Sequence, residues 1–176
     1  MNDDELQLSE PRADLRDDFI SFVEEFAASG EHEIDGIGCM SGADFAAGLR
    51  SGAEQAQGRN LPPGWVPAST FWLVRGGRII VATSNLRHCL NSSLEYENGH
   101  IGYSVRPSQR RKGYGTKVLE LTLEVARRMG LVRVLVTCDK DNVASAGVIL
   151  KNGGMLDSEV PSRSSGKLVQ RYWITL

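Results

Sequence analysis

The residues best suited to chemistry form one run, Arg106-Pro107-Ser108-Gln109-Arg110-Arg111-Lys112-Gly113-Tyr114-Gly115-Thr116. It lies between an apolar strand pattern and a helical pattern. The first N–H groups of a helix lack internal acceptors and carry partial positive charge. Gly113 and Gly115 let the backbone approach a ligand closely, and Arg110, Arg111 and Lys112 add cationic side chains. Together these features describe a phosphate cradle. Two familiar cradles do not fit. A Walker loop needs Gly-x-x-x-x-Gly-Lys-Ser/Thr, whereas here Thr116 precedes Lys117 and no glycine has the required offset. A dinucleotide fingerprint needs a third glycine where Val118 stands.

Arg110-Arg111-Lys112-Gly113-Tyr114-Gly115 matches the pattern Arg/Gln-x-x-Gly-x-Gly/Ala in full. On that loop the chain resembles the GNAT superfamily of N-acetyltransferases, over roughly residues 70–155. Leu86-Arg87-His88, His100-Ile101-Gly102-Tyr103 and Cys138-Asp139-Lys140-Asp141-Asn142 are similar to a bacterial branch described only as predicted acetyltransferases. The resemblance implies acetyl-CoA as acyl donor, its pyrophosphate on Arg110, Arg111, Lys112, Gly113, Tyr114, Gly115 and Thr116. It also implies a bulged fourth strand splayed from its neighbour, with main-chain groups of Tyr103, Ser104 and Val105 facing the pantetheine arm. Asn142 and Ser145 fall in the pattern Asn-x-x-Ala-x-x-x-Tyr-x-x-x-Gly-Phe, with Ser145 replacing alanine. Asn142 has two readings, helix N-cap and cofactor contact. Ile149 replaces the tyrosine that protonates the leaving thiolate in many relatives. Tyr103 and Tyr172 are alternative donors. Unassisted departure is a further option, since a free thiol has a pKa of about 8.5.

Attack on a thioester needs a neutral amine, so a base or a water chain is useful. Backbone N–H groups of the splayed strand are suited to the developing oxyanion. Relatives often place a glutamate near the start of the fourth strand, and the corresponding position falls at Gly99 or His100. His100 is the first catalytic candidate, with an ordinary pKa of about 6.5. A strand-start histidine without chemistry is the other reading. Glu97 and Glu95 are second choices. His88 and Trp72 are substrate-binding candidates, with Trp65 beside them. A sheet-edge cap and a core aromatic are the competing roles.

The elements that must position these groups follow from periodicity. Leu15, Phe19, Phe22 and Phe26 predict a helix over about 12–28, and a weaker one follows Ser41 with Phe45 and Leu49 inward. Thr70-Phe71-Trp72-Leu73-Val74, the Gly76-Gly77 turn and residues 78–83 predict a hairpin, its return strand continuing to about His88. Residues 90–98 read as a loop or one short helix. A strand at 100–105, a helix over 115–129, a strand at 132–138, an Asn142-capped helix and two final strands at about 155–160 and 167–175 complete the order. Val118, Leu121, Val125 and Met129 are the expected buried stripe of the central helix. The fold class is α/β (α+β): a GNAT-like, largely antiparallel mixed sheet flanked by helices, with a splayed central strand pair. One domain over 1–176 is expected. It divides into an N-terminal helical lobe (1–57), a cofactor-binding core (69–160) and a C-terminal hairpin (155–176).

The formal net charge of −2 hides an asymmetry. Residues 1–35 hold twelve acids with only Arg12 and Arg16, leaving a net of +8 beyond them. A solvated helix face is one explanation; an acidic lobe facing a cationic acceptor is the other. Cys39, Cys89 and Cys138 are odd in number and widely spaced, so neither a disulfide framework nor a metal site is expected. No apolar run reaches the roughly 18 residues of a membrane span, and the acidic start is unlike a signal peptide. These features are consistent with a cytoplasmic protein, and the resemblance implies an N-acetyltransferase acting on a small-molecule or peptide amine, without nucleic-acid or membrane partners. A non-catalytic acyl-CoA-binding or sensor module is the alternative. Acceptor identity, acyl-chain length and a homodimeric assembly are left open.

Overall fold

The helical spacing of Leu15, Phe19, Phe22 and Phe26 has its counterpart in α1 (Arg16–Ala28), preceded by a 3-10 turn at Ala13–Leu15. All four side chains are buried, against Trp72, Val74 and Ile80. Each buried phenylalanine contributes about 1.5–3 kcal/mol, which holds this helix to the sheet. The computed structural model describes residues 5–37 and 44–176. Cys39, the Ser41 helix start and the first four residues lie outside the described part. The second helix, α2, is observed over Phe45–Ala56, its Asp44 carboxylate accepting the Ala47 N–H at 3.0 Å.

The remaining elements are β1 (Leu6–Ser9), β2 (Ala68–Arg75), β3 (Ile79–Arg87), α3 (Ser92–Tyr96), β4 (Ile101–Val105), α4 (Tyr114–Arg128), β5 (Arg133–Asp139), α5 (Val143–Lys151), β6 (Met155–Pro161) and β7 (Leu168–Thr175). They form one seven-stranded sheet in the order β1-β2-β3-β4-β5-β7-β6, antiparallel except for β4–β5. The β2–β3 turn has positive φ at both Gly76 and Gly77, as a two-residue turn matched to strand twist requires. The short edge strand β1 was not foreseen, so the 1–57 segment is not purely helical. Four residues of alternation, Leu6-Gln7-Leu8-Ser9, are too few to separate from loop.

Two expectations need correction. The central helix buries Gly115, Val118, Leu119, Thr122, Leu123 and Ala126 rather than the stripe ending in Leu121, Val125 and Met129. Thr122 escapes the polar penalty because its hydroxyl donates to the Val118 carbonyl (2.7 Å) and pairs with Ser84 Oγ (2.8 Å). Met129 is left exposed. Second, β4 carries no bulge: its register against β3 is continuous from Ile101 to Val105. The splay lies on the other side, where β4 and β5 share a single register pair, Ile101 with Val136.

Candidate active site

The cradle is built from local geometry. Pro107 opens a 3-10 turn at Pro107–Gln109, and Gly113 then caps α4 in the left-handed region with φ 85°. Arg111 also has positive φ, 62°, an uncommon conformation for a residue with a side chain. Backbone N–H groups of residues 111–116 have no acceptor among the described residues. At Gly115 an added Cβ would lie 3.2 Å from Val148 and 3.5 Å from Val105, so glycine lets α4 close onto α5 and β4.

The basic tripeptide is unevenly engaged. Arg110 makes a two-pronged ion pair with Glu31 (2.8 and 2.8 Å), lies over the Phe26 ring, and donates from Nε to the Val105 carbonyl (3.2 Å). The hydrogen bonds from Arg110 hold the Glu31 carboxyl below its ordinary range. Lys112 donates to the Gln109 side chain at 3.0 Å. Arg111 is exposed and has no acceptor among the described residues. Below them, buried Arg106 reaches Asp18 (3.0 Å), Glu25 (2.6 Å) and Ser21 (2.7 Å), while Glu25 accepts the Ser108 N–H at 3.2 Å. Three of the twelve acids of residues 1–35, Asp18, Glu25 and Glu31, thus tie α1 and the segment after it to the β4–α4 loop, a role spacing does not separate from solvated charge.

The gap between β4 and β5 begins at His100. Its ring Nδ1 accepts the Leu135 N–H at 2.9 Å, and its backbone N–H donates to the Leu135 carbonyl at 2.7 Å. Burial, with added repulsion from Arg87 and Arg133, lowers its pKa to about 4. The ring is therefore neutral, and its accessible lone pair is spent on the sheet. This geometry makes His100 a structural bridge between β4 and β5 and corrects the expectation of a poised base. The Arg106 N–H donates to the Val81 carbonyl, so by alternation the Ser104 main chain faces β3 as well. The main chains of Tyr103 and Val105 face the gap instead.

On the α4–α5 side of the gap, Tyr103 Oη lies 2.8 Å from Ser145 Oγ. Burial pushes the Tyr103 hydroxyl well above its ordinary pKa. It also raises Cys138 to about 11, against a hydrogen bond with Ser145. Asn142 caps α5, its Oδ1 accepting the Ser145 N–H at 3.0 Å. Tyr172 is buried and donates to Gln170 (2.7 Å).

The opposite face of the sheet carries an open cavity of about 340 Å³. Its floor is Thr70, Asn85 and Arg87, its walls include Ile34–Gly36, Gly52 and Leu94, and Trp65 lies at its rim, 53% exposed. Asp35 was not foreseen as a site residue. Its N–H donates to Ser104 Oγ (2.9 Å) and its carbonyl accepts from Thr83 Oγ1 (2.5 Å). These two hydroxyls hold its carboxylate against Gly102, where any side chain would collide with it. Asp35 as a residue is exposed and lines the cavity, with its carboxyl tucked against Gly102. The loss of bulk water raises its pKa, opposed by Arg87 and reinforced by Glu33. Arg87 Nη1 donates to the Asn98 and Gly99 carbonyls (3.3 and 3.1 Å), and its Nε and Nη2 have no acceptor among the described residues. The signal for Asp35 was a lone acid in an acidic stretch, which spacing cannot distinguish.

Other expected site residues lie elsewhere. Trp72 is fully buried, stacked 5.2 Å from Phe19, and does not line the cavity; the need to cover α1 explains this correction. His88 Nε2 is 2.9 Å from Ser69 Oγ, also away from the cavity lining. Glu97 ends α3 and accepts the Arg163 N–H at 3.3 Å, facing the β6–β7 turn. Glu95 is exposed.

A helix N-terminus with free amides at the mouth of a splayed parallel strand pair is suited to an anionic ligand with an extended amide-bearing arm. The family model described as the acetyltransferase (GNAT) domain matches residues 46–155. The chain belongs to the GNAT acetyltransferase family, whose acyl donor is acetyl-CoA. A search of curated proteins finds no match. Among solved structures, the microcin C7 self-immunity acetyltransferase MccE, in complex with acetyl-CoA and AMP, superposes with TM-score 0.72 at 14% identity, covering 98% of this chain and 93% of that one. A Salmonella typhimurium acetyltransferase that modifies the N-terminal serine of a 50S ribosomal subunit protein gives 0.69 at 16%, over 97% and 95%. A putative ribosomal-protein-serine acetyltransferase from Vibrio cholerae gives 0.67 at 15%, over 97% and 94%. At such identities the likeness concerns the fold. Among the described residues no helix is long and apolar enough to cross a membrane.

Proposed function

We propose that this protein is a cytoplasmic N-acetyltransferase, one domain over 1–176, that moves the acetyl group of acetyl-CoA to a primary amine by direct attack in a ternary complex. The observation that carries the proposal is the row of unpartnered N–H groups over residues 111–116 at the mouth of the β4–β5 gap. These amides, with Arg111 and Lys112, hold the diphosphate. Arg110 joins them if it leaves Glu31. Main-chain groups of Tyr103 and Val105 meet the pantetheine amides, which gives them the partners that β5 does not supply. The Asn142 side-chain N–H₂, with no acceptor among the described residues, is free for the same arm.

In the reaction the amine lone pair forms the new C–N bond and the C–S bond breaks. One ammonium proton is lost to solvent before attack; a second leaves the nitrogen as the thiolate is protonated. Ile149 leaves this end without the tyrosine of many relatives, and the departing thiolate, whose ordinary pKa is about 8.5, takes its proton from water. Calorimetry tests the cradle. Gly113→Asp puts a like charge and a strained side chain at a φ of 85°, and acetyl-CoA affinity should fall by at least about tenfold. Equal affinity would remove the cradle assignment. The replacement at Ile149 also favours a second reading, acyl-CoA binding without turnover. Free-thiol release with an amine panel separates the two.

A further inference from the structure

We propose, resting on that transferase reading, that Asp35 and Arg87 select a small amine that also carries a carboxylate, of the α-amino acid class. Asp35 receives the ammonium and Arg87 the carboxylate.

The two side chains line the same open cavity without closing on each other in an ion pair. Neither the Asp35 carboxylate nor Arg87 Nε and Nη2 has a hydrogen-bond partner among the described residues. Asp35 is exposed and Arg87 half-buried, so both present free polar atoms to a ligand that enters the cavity. The positions are held. The Asp35 backbone is pinned by Ser104 and Thr83, and Arg87 by the carbonyls of Asn98 and Gly99.

The direction is also set. Asp35 lies against Gly102, next to Tyr103, whose main chain faces the gap. Arg87 is level with His100, since its N–H donates to the His100 carbonyl. Two residues of strand separate these levels, about 7 Å. Two charge-assisted hydrogen bonds of about 2.8 Å and the short N–C–C span of an α-amino acid cover that distance. The amine end therefore lies at the gap and the carboxylate away from it. A cavity of about 340 Å³ has room for one amino acid. Polyamines and aminoglycosides would set a second cation against Arg87, which disfavours them.

The test uses the full chain with acetyl-CoA and compares the twenty standard amino acids with their amides, a diamine and an aminoglycoside by free-thiol release. At least one free amino acid should exceed its own amide by roughly tenfold or more in kcat/KM. Arg87→Gln should bring that ratio near one, and Arg87→Lys should retain part of it. Asp35→Asn should lower kcat/KM for the amino acid by roughly tenfold or more while acetyl-CoA affinity by calorimetry is unchanged. The comparison of acid with amide needs no variant, so misfolding does not blunt it. Amides matching acids, or a ratio that survives Arg87→Gln, overturns the proposal. Acetyl-CoA binding with transfer only to carboxylate-free amines, or to none of these, overturns it too and leaves the cofactor site standing. Absence of acetyl-CoA binding sinks both.

Discussion

Replacing His100 with alanine should unfold the β4–β5 junction rather than silence chemistry. The Leu135 N–H is buried and its acceptor is His100 Nδ1. Deleting the ring orphans that N–H and leaves a cavity, together costing about 2–4 kcal/mol. For a chain of this size that is a fall in Tm of roughly 5–15 °C. Asparagine places an acceptor at similar reach, so His100→Asn should recover most of the loss. The pH dependence has a definite sign. His100 has its folded pKa depressed to about 4, so the unfolded state binds the proton first as pH falls. Its contribution is present above about pH 6.5 and is lost between there and about pH 4, at most about 3 kcal/mol. Urea denaturation across pH should show this slope in the wild type and not in His100→Asn. The kcat/KM profile should show no break from this ring near pH 6.5. An alanine variant with unchanged Tm and turnover down a hundredfold or more, unrescued by asparagine, would refute the structural role.

Glu31→Gln should release Arg110 toward the diphosphate. An exposed pair is worth about 0.2–1 kcal/mol, so acetyl-CoA affinity by calorimetry should rise up to about fivefold, less at high salt. Arg106→Met breaks the link between α1 and the loop and leaves half-buried Asp18 and Glu25 without their cation. It should cost about 2–4 kcal/mol in urea denaturation, with loosened acetyl-CoA binding as a consequence. For Glu25, burial raises the pKa, but hydrogen bonds from Ser108 and Arg106 outweigh it and the net shift is downward. Its stabilisation is present above the ordinary carboxylate pKa and lost as pH falls through the depressed value. Glu25→Gln should therefore lose less stability than the wild type on acidification below about pH 4.5.

The charge asymmetry acquires a physical meaning from these contacts. Helix α1 adds carboxylates from one side of the β4–α4 loop while the loop presents free amides on the other. Asp18 and Glu25 fix the loop, while Glu31, just beyond α1, competes for one of its cations. The cofactor cradle is thus rigid at Arg106 and adjustable at Arg110.

What the sequence determined alone was local. The glycines at 113 and 115, the Asn142 cap and the Gly76-Gly77 turn each act within a few residues, so their geometry follows from residue type and spacing. Even the α1 stripe was legible, because one apolar face has only one way to be buried. Tertiary structure decided the rest. Periodicity marked α4 as amphipathic but not which face, since that depended on Ser84 of β3 meeting Thr122. It could not tell that Trp72 belongs under α1, that His100 serves Leu135, or that Glu31 holds Arg110. Nor could it bring Asp35 against Gly102, sixty-odd residues away. A side chain's role in a site depends on which distant atoms surround it, and only the closed sheet brings those atoms together.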